Sequence, residues 1–234
     1  MIQDRALPKF AAAVKDDSLW VEVARTARQR RDAYRLRYDV YIAEQGKGYR
    51  EADHDDRLLI DELDRDAAIL LVSKNGEAVG TLRCNWFTSA AVERCYSDSL
   101  QRERFAVLDG ESVAICSRLA VRCGCRDQRV RSLLFDTIYR TALERATLLC
   151  FATCAPSLLR MFRGYGFREY AVAIEDPVVG RLHRTLLVLD DLAHLDRVNS
   201  PFLEIARRIG LPAKERSWLK HIFDEYRAIP HGAR

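Results

Sequence analysis

The sequence lacks any apolar run approaching the roughly 20 residues that a membrane-spanning helix needs; the longest, such as Ala67–Val72, are far shorter. It also lacks a signal-peptide core, because Asp4 and Arg5 precede only a broken Ala-rich stretch, so a cytoplasmic protein is expected. There is no Cys-x2-Cys pair, and none of the five histidines stands near a cysteine in sequence, so no structural metal is predicted. Seven cysteines are an odd number in a chain too large to need disulfides, and Cys116, Cys150 and Cys154 read as small buried hydrophobes. No basic stripe with interleaved aromatics is present, and a net charge of +4 is too small to argue for nucleic acid. No spacing suggests a Ser-His-Asp or Cys-His nucleophile, and no internal repeat or low-complexity segment stands out.

What is present describes an ordinary globular chain. At 234 residues, with 48% hydrophobic and 31% charged, it can bury a sizeable core without external staples. Residues 1–17 read as a loosely held arm and Leu19–Val23 as a first strand. Arg30–Glu44 reads as a helix with Ala33, Leu36, Arg37, Val40, Tyr41 and Glu44 on its inner face. A charge on an apolar face is costly to bury alone, so Arg37 either meets a carboxylate, from Glu44 or the following loop, or borders a cavity. A polar loop over 46–59 leads to Asp61, Glu62 and Asp64, either acid–base groups or the polar start of a strand. Ala67–Val72 then turns at Asn75-Gly76 into Ala78–Arg83, a strong hairpin signal. Residues 88–110 read as an irregular connection. Near the end, 171–174 and 184–189 suggest an antiparallel pair, and 200–210 and 214–227 two amphipathic helices.

The most organised stretch is Glu111–Phe167. Val113, Ile115, Ser117, Leu119 and Val121 alternate with Ala114, Cys116, Arg118 and Ala120 as in a strand. A polar turn, Arg122–Arg129, feeds a helix marked by Val130, Leu133, Leu134, Thr137, Ile138 and Ala142. The first free N–H groups of such a helix favour an anion. Leu148–Cys154 reads as a buried strand, and Pro156 to Gly164 as a helix with proline in and glycine out.

Ser117-Arg-Leu-Ala-Val121, Arg126-Asp-Gln-Arg-Val-Arg131, Leu133-Leu134 and Met161-Phe-Arg-Gly-Tyr-Gly-Phe167 resemble the core of the GNAT acyltransferase superfamily. The likeness to one branch, the N-acyl amino acid synthases and acyl-homoserine-lactone synthases, runs over nearly the whole chain. It includes Arg37-x-x-Val-Tyr41, Asp61-Glu-Leu-Asp64, Gly80-Thr-Leu-Arg83, Ser117-Arg118 and His194-Leu with Ser200-Pro-Phe-Leu203. The frame of the family's turn is kept while its glycines are replaced by Asp127, Arg129 and Arg131. The family's Tyr proton donor is Phe162, and the branch's Glu is Ile115, with Glu111 a substitute four residues earlier.

The resemblance implies an α/β (α+β) fold with a mixed, mostly antiparallel central sheet flanked by helices, residues 1–190 forming the acyltransferase domain and 191–234 a helical extension. It implies direct transfer of a long-chain acyl group from acyl carrier protein or CoA to the amine of an amino acid or related small molecule. No permanently bound cofactor is expected; the phosphopantetheine thioester is a co-substrate. Glu62 or Asp64, with Glu111, would take the amine proton; Arg37, Arg83 and Arg118 would hold the acceptor's carboxylate or the acids themselves; Ser117 would be a polar ligand. Leu119, Ala120, Val121, Arg126, Arg129, Val130, Arg131, Ser132 and Phe162 would receive the pantetheine arm and its phosphates. Arg126, Arg129, Arg131, Arg160, Arg163 and Arg168 suit either an acidic carrier surface or a solvated basic face. The alternative is a fold relative that senses thioesters without turnover.

Overall fold

The computed structural model describes residues 12–13, 19–212 and 216–230. In chain order the elements are β1 (Ala12–Ala13), β2 (Leu19–Val23), α1 (Ala27–Arg37), which continues as a π-helical segment Tyr38–Glu44, β3 (Ala52–Asp53), β4 (Leu58–Leu59), a 3-10 turn Glu62–Asp64, β5 (Ala68–Lys74) and β6 (Glu77–Trp86). There follow α2 (Ala90–Leu100), β7 (Val113–Val121), α3 (Gln128–Glu144), β8 (Leu149–Cys154), α4 (Pro156–Gly164), β9 (Arg168–Asp176), β10 (Gly180–Val188), α5 (Leu192–Arg197), α6 (Phe202–Arg208) and α7 (Ser217–Ala228). The fold is α/β, with a mixed, mostly antiparallel central sheet and flanking helices.

The chain divides into two compact units: the described residues up to Asn85 with Arg118–Glu144, and Trp86–Ser117 with the described residues from Arg145 onward. In the first unit β1, β2, β5 and β6 follow one another as antiparallel neighbours. The β5–β6 hairpin closes through Asn75 (φ +52°) and Gly76 (φ +84°), the doubly left-handed turn that Asn-Gly favours. The arm expected over 1–17 lies outside the described residues except for Ala12–Ala13, which pair with β2. Helix α1 opens with a reciprocal cap: Thr26 Oγ1 accepts from the Gln29 N–H at 3.2 Å, and Gln29 Oε1 accepts from the Thr26 N–H at 2.9 Å. Ala33 and Tyr34 pack with Leu58, Ile69 and Leu71, while Leu36, Val40 and Tyr41 pack with Leu59 and Ala120. These contacts bring the expected loop 46–59 down onto the helix, its Leu58-Leu59 paired with Ala52-Asp53.

One expectation fails inside this helix. Glu44 is exposed and does not share the buried face with Arg37. A π-helical turn takes about one residue more than an α-helical one, so the seven residues from Tyr38 carry Glu44 around to solvent.

In the second unit β7 and β8 are parallel and β8, β10 and β9 antiparallel. The parallel ladder spans only Val113–Cys116 against Leu149–Ala152, and β7 continues beyond it. Phe151 is fully buried and meets Phe87, Phe105 and Tyr170 edge-on or tilted, at ring distances of 5.1–6.0 Å. Residues 88–110, expected to be irregular, contain α2, capped by Ser89 Oγ on the Val92 N–H. Only Val92 and Leu100 of that helix are buried, so it carries almost no apolar stripe to read. Gly166, at φ +102°, ends α4 where a Cβ would lie 2.5 Å from Leu195. The C-terminal helices are α5, not foreseen, α6 and α7, the last packed on β9.

Candidate active site

The first unit holds an unusual set of buried charges. Arg37 ends α1 on the face that carries Ala33 and Leu36, so the fold buries it completely, and its Nη1 donates to Asp64 Oδ1 at 2.6 Å. Asp64 comes from the 3-10 turn, where it is clamped locally: Asp61 Oδ1 accepts from the Leu63 N–H at 3.0 Å, and Asp64 Oδ2 accepts from the Asp61 N–H at 2.9 Å. Arg83, on β6, donates from Nη1 to Asp64 Oδ1 at 3.2 Å and also to Asp61 Oδ1. Arg118, on β7, donates Nε and Nη2 to Asp61 Oδ2 at 3.1 and 2.6 Å. The result is a chain of alternating charge, Arg37–Asp64–Arg83–Asp61–Arg118. Side-chain exposure rises along it from 0% at Arg37 to 13% at Arg118.

These five groups, three guanidiniums and two carboxylates, sum to one formal positive charge. Burial alone would raise the Asp61 carboxyl, but Arg83 and Arg118 outweigh it and hold that group below the ordinary carboxylate range. Burial pulls Arg37 down, with Asp64 opposing. Arg37 Nε and Nη2 are buried and have no hydrogen-bond partner among the described residues. Such a guanidinium is held in place by its one carboxylate and by the Tyr34 ring, 5.4 Å away.

Arg118 sits in a left-handed backbone conformation, φ +55°, just after the β7–β8 ladder ends. A non-glycine residue in that region carries a local backbone cost that its surroundings must hold, and such residues concentrate at functional sites. The bidentate bond to Asp61 and the Tyr49 ring, 4.5 Å from its guanidinium, fix the side chain on an edge and a face. Tyr41, 5.8 Å from Tyr49 between ring centres, donates its hydroxyl to the Leu119 carbonyl at 2.6 Å. This anchors the π-helical segment to β7.

The turn between β7 and α3 is tied by acids. Glu44 Oε1 accepts from the Cys123 N–H at 3.3 Å and its Oε2 from Arg126 Nη2 at 2.6 Å; Arg126 Nε also donates to the Val121 carbonyl at 3.2 Å. Asp127 Oδ1 accepts from the Val130 N–H at 3.1 Å, and its Oδ2 lies 3.4 Å from Arg129 Nη2. The Val130 N–H, joined by Arg129, holds the Asp127 carboxyl below its usual range. Arg131 donates back to the Arg126 carbonyl at 2.7 Å.

The structure thus brings Arg37, Asp64, Arg83 and Arg118 together. Glu62 is exposed on the same turn. Glu111, exposed, and Ser117, half-buried, belong to the second unit, as does Phe162, which is buried against Phe167 at 5.2 Å. Leu119 is half-buried, Ala120, Val121 and Val130 are buried, and Arg126, Arg129, Arg131 and Ser132 lie along the turn and first helical residues. Of the other basic residues, Arg163 is paired with Glu169 and Arg168 with Asp191. Sequence reasoning named Asp61 among the three acids before the strand but not its role in joining Arg83 to Arg118, and it missed Tyr49 and the role of Glu44. A hydrogen-bonding residue followed three positions later by an acid is a capping signature, and Asp61-x-x-Asp64 could have been read that way.

The mixed, mostly antiparallel sheet flanked by helices is a GNAT-like fold. The family model of the N-acyl amino acid synthase FeeM matches residues 32–190, and the chain belongs to that family. Its activity is N-acyl transfer, the joining of an acyl group to an amine. The structure of FeeM, an N-acyl amino acid synthase from uncultured soil microbes, is similar at a TM-score of 0.62 and 16% identity, covering 80% of this chain and 97% of that one. The AHL synthase LasI is similar at 0.61 and 14%, covering 85% and 98%. The CoA-dependent acyl-homoserine lactone synthase BjaI is similar at 0.57 and 17%, covering 86% and 96%. No curated sequence relative matches. No helix among the described residues is long and apolar enough to cross a membrane.

Proposed function

We propose that this enzyme joins a long-chain acyl group, delivered as a carrier-protein thioester, to the amine of an amino acid, and that Arg118 receives the acceptor's carboxylate. The observation that carries this reading is the excess positive charge of the chain from Arg37 to Arg118. A buried array with more guanidiniums than carboxylates gains from one further anion, and Arg118 is its outermost member. Asp61 and Asp64 have their oxygens taken up by guanidiniums and backbone N–H groups, and they serve as the rigid frame that aims Arg83 and Arg118. The proton lost by the attacking amine is assigned to Glu62, exposed on the turn that Asp61 begins. Glu111 is not needed for that step.

Transfer is direct. The deprotonated amine adds to the thioester carbonyl, the tetrahedral oxyanion is met by backbone N–H groups of β7 next to the strained residue Arg118, and the carrier thiol leaves. The turn carries Arg122, Arg126, Arg129 and Arg131 against Glu44 and Asp127, and this remaining positive charge suits an acidic carrier protein. Seven thiols and the need for carrier thioesters fit the cytoplasm. The test is release of free thiol from purified long-chain acyl-carrier protein. It should occur only when an amino acid is supplied, with a matching N-acyl product by mass spectrometry. Thiol release that is independent of any amine, or bound thioester with no release, would discard the assignment in favour of a hydrolase or a sensor.

A further inference from the structure

The strand–turn–helix unit formed by β7, Arg122–Asp127 and α3 gathers the donors that ordinarily attract phosphate: backbone N–H groups at a helix start, and guanidiniums beside them. Here they are already answered from within the chain. Glu44 takes the Cys123 N–H and Arg126, while Asp127 takes the Val130 N–H and lies against Arg129. Glu44 reaches the turn from the end of the π-helical segment, and Asp127 caps the start of α3 through the Val130 N–H. The two carboxylates come from separate parts of the chain and cover separate donors of one turn.

We propose that Glu44 and Asp127 are specificity-determining residues that set this enzyme against thioester donors carrying a diphosphate. The inference rests on the reading that the acyl donor approaches along this turn. A diphosphate there has to displace two carboxylates or stand beside them, and like charges at contact distance repel. A donor tethered to a carrier protein places a single phosphodiester near the turn and makes its remaining contacts through the carrier's surface, so it meets less of this repulsion. The exposed Arg126–Glu44 pair is weak by itself, with side-chain exposures of 47% and 28%, so each acid contributes a graded penalty and the two act together.

The test uses the whole protein with coenzyme A as probe and pantetheine, which has no diphosphate, as control. Binding is measured by calorimetry at low salt for the wild type, Glu44→Gln, Asp127→Asn and the double variant. Asn retains the helix cap and Gln retains the hydrogen-bonding reach, so melting curves should stay near that of the wild type. The double variant is expected to bind coenzyme A at least about tenfold tighter than the wild type, each single variant by a smaller factor, with the gain shrinking as salt rises and pantetheine unaffected. Equal or weaker binding of coenzyme A by the double variant, including no detectable binding by either protein, would overturn the proposal. A parallel gain for pantetheine would also overturn it, because the acids would then act through shape rather than charge. Binding is read without turnover, so failure of the acyl-transfer reading shows separately, in the thiol-release assay of the wild type.

Discussion

Asp64→Asn is the most informative single perturbation of the charge chain. The substitution keeps the shape and one carbonyl oxygen but removes the negative charge between Arg37 and Arg83. Arg37 is fully buried, its other two guanidinium nitrogens have no partner among the described residues, and burial already disfavours its charged form. Removing one partner of a buried pair leaves an uncompensated charge and costs about 3–5 kcal/mol. For a domain of this size that corresponds to a fall in melting temperature of roughly 6–20 °C at about 2–4 °C per kcal/mol. Adding Arg37→Met to Asp64→Asn removes the stranded charge, so the double variant should melt above Asp64→Asn alone. Circular dichroism melts at neutral pH suffice. If Asp64→Asn melts within about 2 °C of the wild type, the pair is not desolvated as its geometry implies, and the account of a rigid charged frame fails.

Arg118→Lys loses the two-nitrogen grip on Asp61 and should lower kcat/KM for the amino acid by about 10–100-fold, mainly through KM, while the acyl donor's KM changes little; a uniform loss in both would refute its placement on the acceptor. Glu62→Gln should reduce kcat by about 10²–10⁴-fold and shift the pH–rate profile to higher pH, where the amine is free without help; an unchanged profile would remove Glu62 from the proton path. Burial first, then Arg168, depresses His194 from 6.5 to about 4, so it stays neutral in the folded protein while the unfolded chain binds a proton. Its contribution is therefore present above pH 6.5 and lost as pH falls toward 4. The wild type should lose roughly 2–3 kcal/mol across that window, and His194→Gln, able to keep a bond to the Gly166 carbonyl, should show a flatter curve. Asp61, whose folded value is lowered, contributes above pH 3.8 and loses its contribution as pH falls further; Asp61→Asn should remove that acid-limb slope in urea titrations.

Local pattern made much of the fold readable in the chain. The alternation of 113–121, the Asn75-Gly76 turn, the Pro156 and Gly164 helix ends and the helical spacing after Arg129 each depend on neighbours in sequence, and each element lies where that spacing put it. The same logic explains the misses. Helix α2 buries too little to leave a stripe. The helix around Arg37 has an α-helical pattern that cannot announce a π-helical turn, so Glu44 was assigned to the wrong side.

In the sequence, composition and spacing determined an ordinary globular chain and the residue types at its centre, arginines on an apolar helix face and on two strands and acids before a strand, while the class of protein came from the resemblance of its motifs to a known family. Only tertiary structure decided how these charges divide. A carboxylate's partner is set by distance and burial, which sequence spacing does not encode across the 27 positions between Arg37 and Asp64 or the 57 between Asp61 and Arg118. The fold made Asp64 a buried link, Asp61 the bridge between two arginines and Glu44 a clamp on the turn. Burying a charge is tolerable only where its partner is brought to contact.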